Sequence, residues 1–169
     1  KYVYYDSWLN TYLDILEDKM DKITYDNKAL KTILRKKVIT IDSLCSLLNS
    51  SIKTARRRLK QWEAYTSYNE NGRYYTLPNI PEFDTNGLWT YRSIRFSKYG
   101  NLKLTIINLI KLSQAGLDVA EMNDLIGISV RSFLSTLLNH KDIKREKIQG
   151  RFVYFSAVEE VFMKQKNSR

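Results

Sequence analysis

Residues 38–77 read VITIDSLCSLLNSSIKTARRRLKQWEAYTSYNENGRYYTL, and 78 positions later residues 116–155 read GLDVAEMNDLIGISVRSFLSTLLNHKDIKREKIQGRFVYF. The two stretches align over 40 residues without a gap. Identities at Leu47/Leu125, Ser51/Ser129, Leu59/Leu137, Gly72/Gly150 and Arg73/Arg151 are few, but they fall on the apolar pattern and on one turn glycine. Chemistry persists at Ile41/Val119, Leu44/Met122, Leu48/Ile126, Ile52/Val130, Tyr65/Ile143 and Tyr74/Phe152. Self-similarity at a fixed offset marks a duplicated structural unit. Two related small domains are therefore expected.

Each copy reads as the same succession of elements. A first helix carries Leu30, Ile33 and Leu34, or Leu104, Ile107 and Ile110, at helical spacing. A short extended piece ends at Thr40 or Asp118, either of which can N-cap a second helix. Only copy two has a glutamate, Glu121, placed to complete a capping box. Asn49 or Gly127 suits a left-handed C-cap. Ser51 or Ser129 then caps a third helix, expected over 52–62 and 130–140. A hairpin closes each copy, 65–68 turning into 73–77 and 143–147 into 151–155, with Gly72 and Gly150 in the turns.

Helix, short strand, helix, tight turn, helix and hairpin is an order that resembles the winged helix-turn-helix. The whole chain resembles a tandem winged-helix protein of the prokaryotic regulator type, over about 25–77 and 100–156. The implied fold is mainly α with small β-hairpins (α+β), two winged-helix domains in tandem joined by an ordered connector. The expected layout is an N-terminal amphipathic helix (1–22), domain 1 (23–80), the connector (81–99), domain 2 (100–156) and a C-terminal helix and tail (157–169). The connector alternates, with Leu88, Ile94 and Phe96 on one face and Trp89, Tyr91 and Arg95 on the other, so it reads as strand. Its aromatic residues are expected to fill a core rather than stack on single-stranded bases.

The formal net charge of +10 is unevenly placed. Residues 1–26 carry −3, residues 27–62 carry +9 and residues 129–156 carry +4. Two basic blocks point to two surfaces facing a polyanion. On the third helix of copy one, Ile52, Ala55, Leu59 and Trp62 form the core face. Lys53, Thr54, Arg57, Lys60 and Gln61 lie opposite, with Arg56 and Arg58 on the flanks. The resemblance implies that this helix enters a DNA major groove. Arg57 then matches guanine, Gln61 adenine and Lys53 a base or phosphate, while Arg56, Arg58 and Lys60 grip the backbone.

The third helix of copy two offers Arg131, Ser132, Ser135 and Asn139, while Leu134 and Leu138 widen its apolar arc. Its cations sit largely on the hairpin, at Lys144, Arg145, Lys147 and Arg151. Either this wing grips phosphate while the helix reads bases, or the leucines pack against protein. Ser51 and Ser129, at the helix starts, and Arg73, in the first wing, complete the expected contact set. The expected partner is double-stranded DNA, the expected role sequence-specific transcription regulation. The alternatives are a protein-interaction scaffold, or the DNA-binding part of a larger mobile-element or replication system.

Catalytic chemistry finds little support. The single His140 and single Cys45 exclude a disulfide framework and multi-Cys zinc sites, and there is no Gly-rich phosphate loop. No catalytic residue, metal or cofactor is expected. No apolar run reaches the ~18 residues of a membrane span, and no signal-peptide pattern opens the chain. A cytoplasmic, nucleoid-associated location is expected. Trp8, Leu9, Tyr12, Leu13, Ile15, Leu16 and Met20 give the N-terminal helix an apolar side; Asp14, Glu17, Asp18 and Asp21 make its outer face acidic. This helix either covers copy one or pairs with its symmetry mate in a homodimer; the C-terminal helix, about 157–166 with Val158, Val161 and Phe162, either completes the second core or pairs in the same way.

Overall fold

Nothing between Ile23 and Tyr25 can break a helix, and the computed structural model runs one helix, α1, over Val3–Lys36. The structure describes the backbone of residues 3–138 and 140–169, and the side chains of 14–17, 19–138 and 140–169. The N-terminal helix expected at 1–22 and the first helix of copy one are thus a single element. Of its expected apolar and acidic residues, Trp8, Leu9, Tyr12, Leu13 and Asp18 lie outside the described side chains.

The protein is of the α+β class and divides into two compact units. The first comprises the chain up to Tyr65 together with Arg73–Pro81. Its elements are α1, β1 (Ile39–Thr40), α2 (Ile41–Leu48), α3 (Ile52–Gln61), β2 (Tyr65–Thr66) and β3 (Tyr74–Thr76), with antiparallel pairing of β1 and β3 and sheet order β1-β3-β2. Thr40 caps α2 by accepting from Ser43 N, and Asn49 ends it in the left-handed region at φ 44°. Ala29, Ile33, Ile39, Leu44, Leu48, Ala55, Leu59 and Leu77 form the core. Ile33 and Leu44 are almost wholly buried, each worth about 1.5–3 kcal/mol of apolar transfer. The Thr76 hydroxyl donates to Lys37 O at 2.6 Å, tying β3 to the residue that ends α1.

The second unit comprises Thr66–Gly72 and Glu82–Arg169. It contains β4 (Leu88–Tyr91), β5 (Ile94–Ser97), α4 (Leu102–Leu112), β6 (Leu117–Asp118), α5 (Val119–Ile126), a 3-10 turn (Arg131–Phe133), α6 (Leu134–Leu138), β7 (Ile143–Ile148), β8 (Arg151–Ser156) and α7 (Glu159–Ser168). Strand order in its larger sheet is β6-β8-β7. The expected capping box is present: Glu121 N donates to Asp118, and Asp118 N donates to Glu121. Leu102, Ile106, Ile110, Met122, Ile126, Val130 and Leu137 fill the core.

Three sequence expectations change here. The connector at 81–99 is a hairpin of the second unit, not a free-standing piece. Its alternation carries through the turn at Arg92, so Leu88, Ile94 and Phe96 are buried together. The first hairpin is shorter than expected, because residues 66–72 are drawn into the second unit. There the Tyr68 hydroxyl donates to Ile126 O (3.0 Å), Tyr68 N donates to Arg95 O (2.9 Å), and the Asn69 side chain bridges Arg95 N and Ser93 O. Burial pushes the Tyr68 hydroxyl pKa up.

The third helix of copy two is not a continuous 130–140 helix. Ser129 does not cap it; Val130 N donates instead to the Asn123 side chain at 2.9 Å, and the next residues wind as 3-10. The C-terminal helix, α7, completes the core of its own unit, one of the two roles expected of it. Phe162 meets Phe155 edge-on at 5.5 Å, and buried Gln165 donates to Ile110 O and Ser113 O while accepting from Ser156 N.

Candidate nucleic-acid interface

In unit 1, α3 is set by Ser51, whose hydroxyl accepts from Thr54 N at 3.4 Å and meets the Thr54 hydroxyl at 3.3 Å. Both residues therefore hold the helix start. Ala55 and Leu59 face the core as expected, but Ile52 is 49% exposed, because it stands in the first turn beyond the reach of the core. Arg58 is not free for a backbone grip. Its guanidinium pairs with Asp26 of α1 at 3.1 Å and donates to Gln61 Oε1 at 3.0 Å, which also occupies the acceptor of Gln61.

Lys53, Arg56, Arg57 and Lys60 remain. All four are exposed, and among the described residues none has a side-chain partner. No carboxylate occurs on α3. Arg73 is exposed beyond a turn in which Glu70, Asn71 and Gly72 all take positive φ. Beside the helix, Asp21, Asp26, Asn49, Thr54, Arg57 and Arg58 line a cleft of about 530 Å3. The acidic residues of α1 thus border one side of the cationic helix.

In unit 2 the aligned surface is different. Arg131, Ser132 and Ser135 are exposed, and Asn139 lies outside the described residues. Lys144 pairs with Glu159 at 2.6 Å, and Arg151 approaches Asp118 at 3.5 Å. Arg145 lies 4.1 Å over the Phe152 ring, while Lys147 is exposed and has no partner among the described residues. Leu134, Leu138, Val119, Phe152 and Tyr154 line an open groove of about 540 Å3, rimmed by Arg145 and Arg151. The repeat alignment carried its signal: Leu134, Leu138 and Phe152 stand where copy one has Arg56, Lys60 and Tyr74.

The Asp118 carboxyl is held below the ordinary carboxylate range, chiefly by the hydrogen bond from Glu121 N. Among the described residues no group of three or more His, Cys, Asp and Glu side chains converges to hold a metal ion. No helix among them is long and apolar enough to cross a membrane. No protein-family model matches this chain, and no curated protein matches its sequence.

Proposed function

We propose that the protein binds double-stranded DNA, as a sequence-specific transcription regulator built of two winged helices. The observation that carries this reading is the row of four unpartnered cations, Lys53, Arg56, Arg57 and Lys60, on a capped helix with no carboxylate. Such a helix suits a major groove lined by phosphate. Supporting it, both units repeat one order of elements, helix, strand, helix, helix, strand, strand, with the last strand between the other two. Arg57 has the free fork geometry for guanine O6 and N7, whereas Lys53, Arg56, Lys60 and Arg73 act on phosphate.

Unit 2 has a second reading, because its groove is apolar where unit 1 is cationic. There a protein or apolar ligand competes with DNA as the partner, in keeping with the scaffold alternative.

Salt separates the two classes. With about five phosphate contacts, log K for duplex DNA falls against log salt at roughly −4. Replacing Arg56, Arg57 and Lys60 together by Ala removes about three contacts and lowers affinity on the order of 100-fold near physiological salt. Arg57→Ala alone costs about 1–3 kcal/mol and relaxes one base position, while Lys60→Ala weakens all sequences alike. A flat salt dependence, or a triple variant that binds as the parent does, overturns the reading.

A further inference from the structure

One side of the described part of α1 carries apolar residues that the unit 1 core leaves uncovered. Leu16, Met20, Ile23 and Leu34 are exposed, Met20 by 69% and Ile23 by 61%. The helix reaches its own core mainly through Ala29 and Ile33, about a third of a turn away around the axis. These positions belong to one repeat. Leu16, Met20, Ile23, Asn27, Leu30 and Leu34 follow one another at alternating spacings of four and three, with Leu30 half-buried against the unit 1 core. In sequence the same spacing runs back through Leu13 and Leu9. This is the a/d repeat of a coiled coil, sustained over roughly the three to four heptads that mark one.

We infer that α1 pairs with α1 of a second copy of this chain as a parallel, in-register, two-stranded coiled coil. Two features select this occupant. Asn27 is the one polar residue in the seam at an a position, where in-register parallel strands set it opposite its own copy and its side chain specifies two strands. Asp26 and Lys31 take the g position and the next e position, and a parallel pair brings these opposite charges together across the seam. Asp26, 3.1 Å from Arg58, then stands between two cations. The exposed part of the seam lies outside the folded core of unit 1, so pairing asks no rearrangement of it. The inference stands apart from DNA binding; where both hold, the two-fold axis makes the DNA site an inverted repeat.

The test reads mass and cross-linking, not DNA. Sedimentation equilibrium of the full chain at micromolar concentration is expected to give twice 20.0 kDa. Met20→Glu combined with Ile23→Glu places charge at two exposed seam positions. It is expected to raise the dimer dissociation constant on the order of 100-fold, about tenfold per layer, with the helical circular dichroism of unit 1 retained. Asn27→Cys in a Cys45→Ala background is expected to form an inter-chain disulfide on mild oxidation. A monomeric parent chain overturns the inference, as does a dimer indifferent to the two glutamates. A dimer that never cross-links through position 27 overturns the parallel register.

Discussion

In unit 1 the third helix is ten residues of α-helix with four unpaired cations; in unit 2 the aligned residues form a 3-10 turn and a five-residue helix, with leucine replacing two of those cations. The wings differ in the opposite sense. β2 and β3 are two and three residues long, whereas β7 and β8 are six each and carry four of the unit's cations. Of those four, Lys144 and Arg151 approach carboxylates. A duplicated frame therefore supports two unlike surfaces. The frame comes from positions that stay apolar in both copies, such as Leu44/Met122, Leu48/Ile126 and Leu59/Leu137. The surfaces come from positions that the core does not constrain, and there the copies diverge freely.

The largest effect concerns how each unit closes its sheet against a helix. In unit 1 a hydroxyl bond runs from Thr76 to Lys37 O. Unit 2 uses the Gln165 amide, which is 1% exposed and serves Ile110 O, Ser113 O and Ser156 N. Gln165→Ala takes the acceptor from Ser156 N and the amide donor from Ser113 O, while Ile110 O keeps the Ser113 hydroxyl, and is expected to cost about 3 kcal/mol. Thr76→Val, which removes one donor, is expected to cost about 1 kcal/mol. Urea denaturation of each variant checks the ratio. Equal losses break the contrast between a single bond and a network.

Much of this frame was legible. The caps at Thr40, Asn49, Asp118 and Gly127 follow from short-range rules, and all four occur. What escaped depends on distant partners. Ser129 and Ser51 are identical in sequence, yet only Ser51 caps; after Ser129 the chain winds as 3-10 and Val130 N goes to the Asn123 side chain. Tyr68 reads as a hairpin residue of copy one until Ile126 O, 58 positions away, accepts its hydroxyl. Arg58 reads as one more free cation until Asp26 meets it from α1. The heptad in α1 was present in the sequence throughout. The seam crosses residue 22, where composition places a domain boundary, so neither side of that boundary carries the full repeat.

A smaller effect sharpens the contrast between the interfaces. Leu138 is 42% exposed at the edge of the apolar groove and aligns with Lys60. Leu138→Lys gives unit 2 a cation of unit 1 at little cost to packing. If unit 2 approaches DNA, the salt slope is expected to steepen by about one and affinity to rise up to roughly tenfold. An unchanged slope assigns the groove to a partner other than DNA.

The smallest effect comes from the second-helix caps, neutral in one unit and ionised in the other. Thr40 caps α2 without titrating, while Asp118 caps α5 as a carboxylate with a lowered pKa. A lowered folded-state pKa means that on acidification the unfolded chain takes the proton first. The stability contributed by Asp118 is thus complete above the ordinary Asp value near pH 4 and lost as pH falls through the folded value. Asp142, also held low by its bond from Lys111, adds to the same trend in unit 2. The cap is worth about 1 kcal/mol. Amide hydrogen exchange at pH 3 and pH 6 is expected to show α5 losing protection relative to α2. Asp118→Thr, which installs the cap of unit 1, is expected to shrink that difference to the part due to Asp142. A difference that survives the exchange unchanged means that the acid sensitivity of α5 lies elsewhere than in its cap.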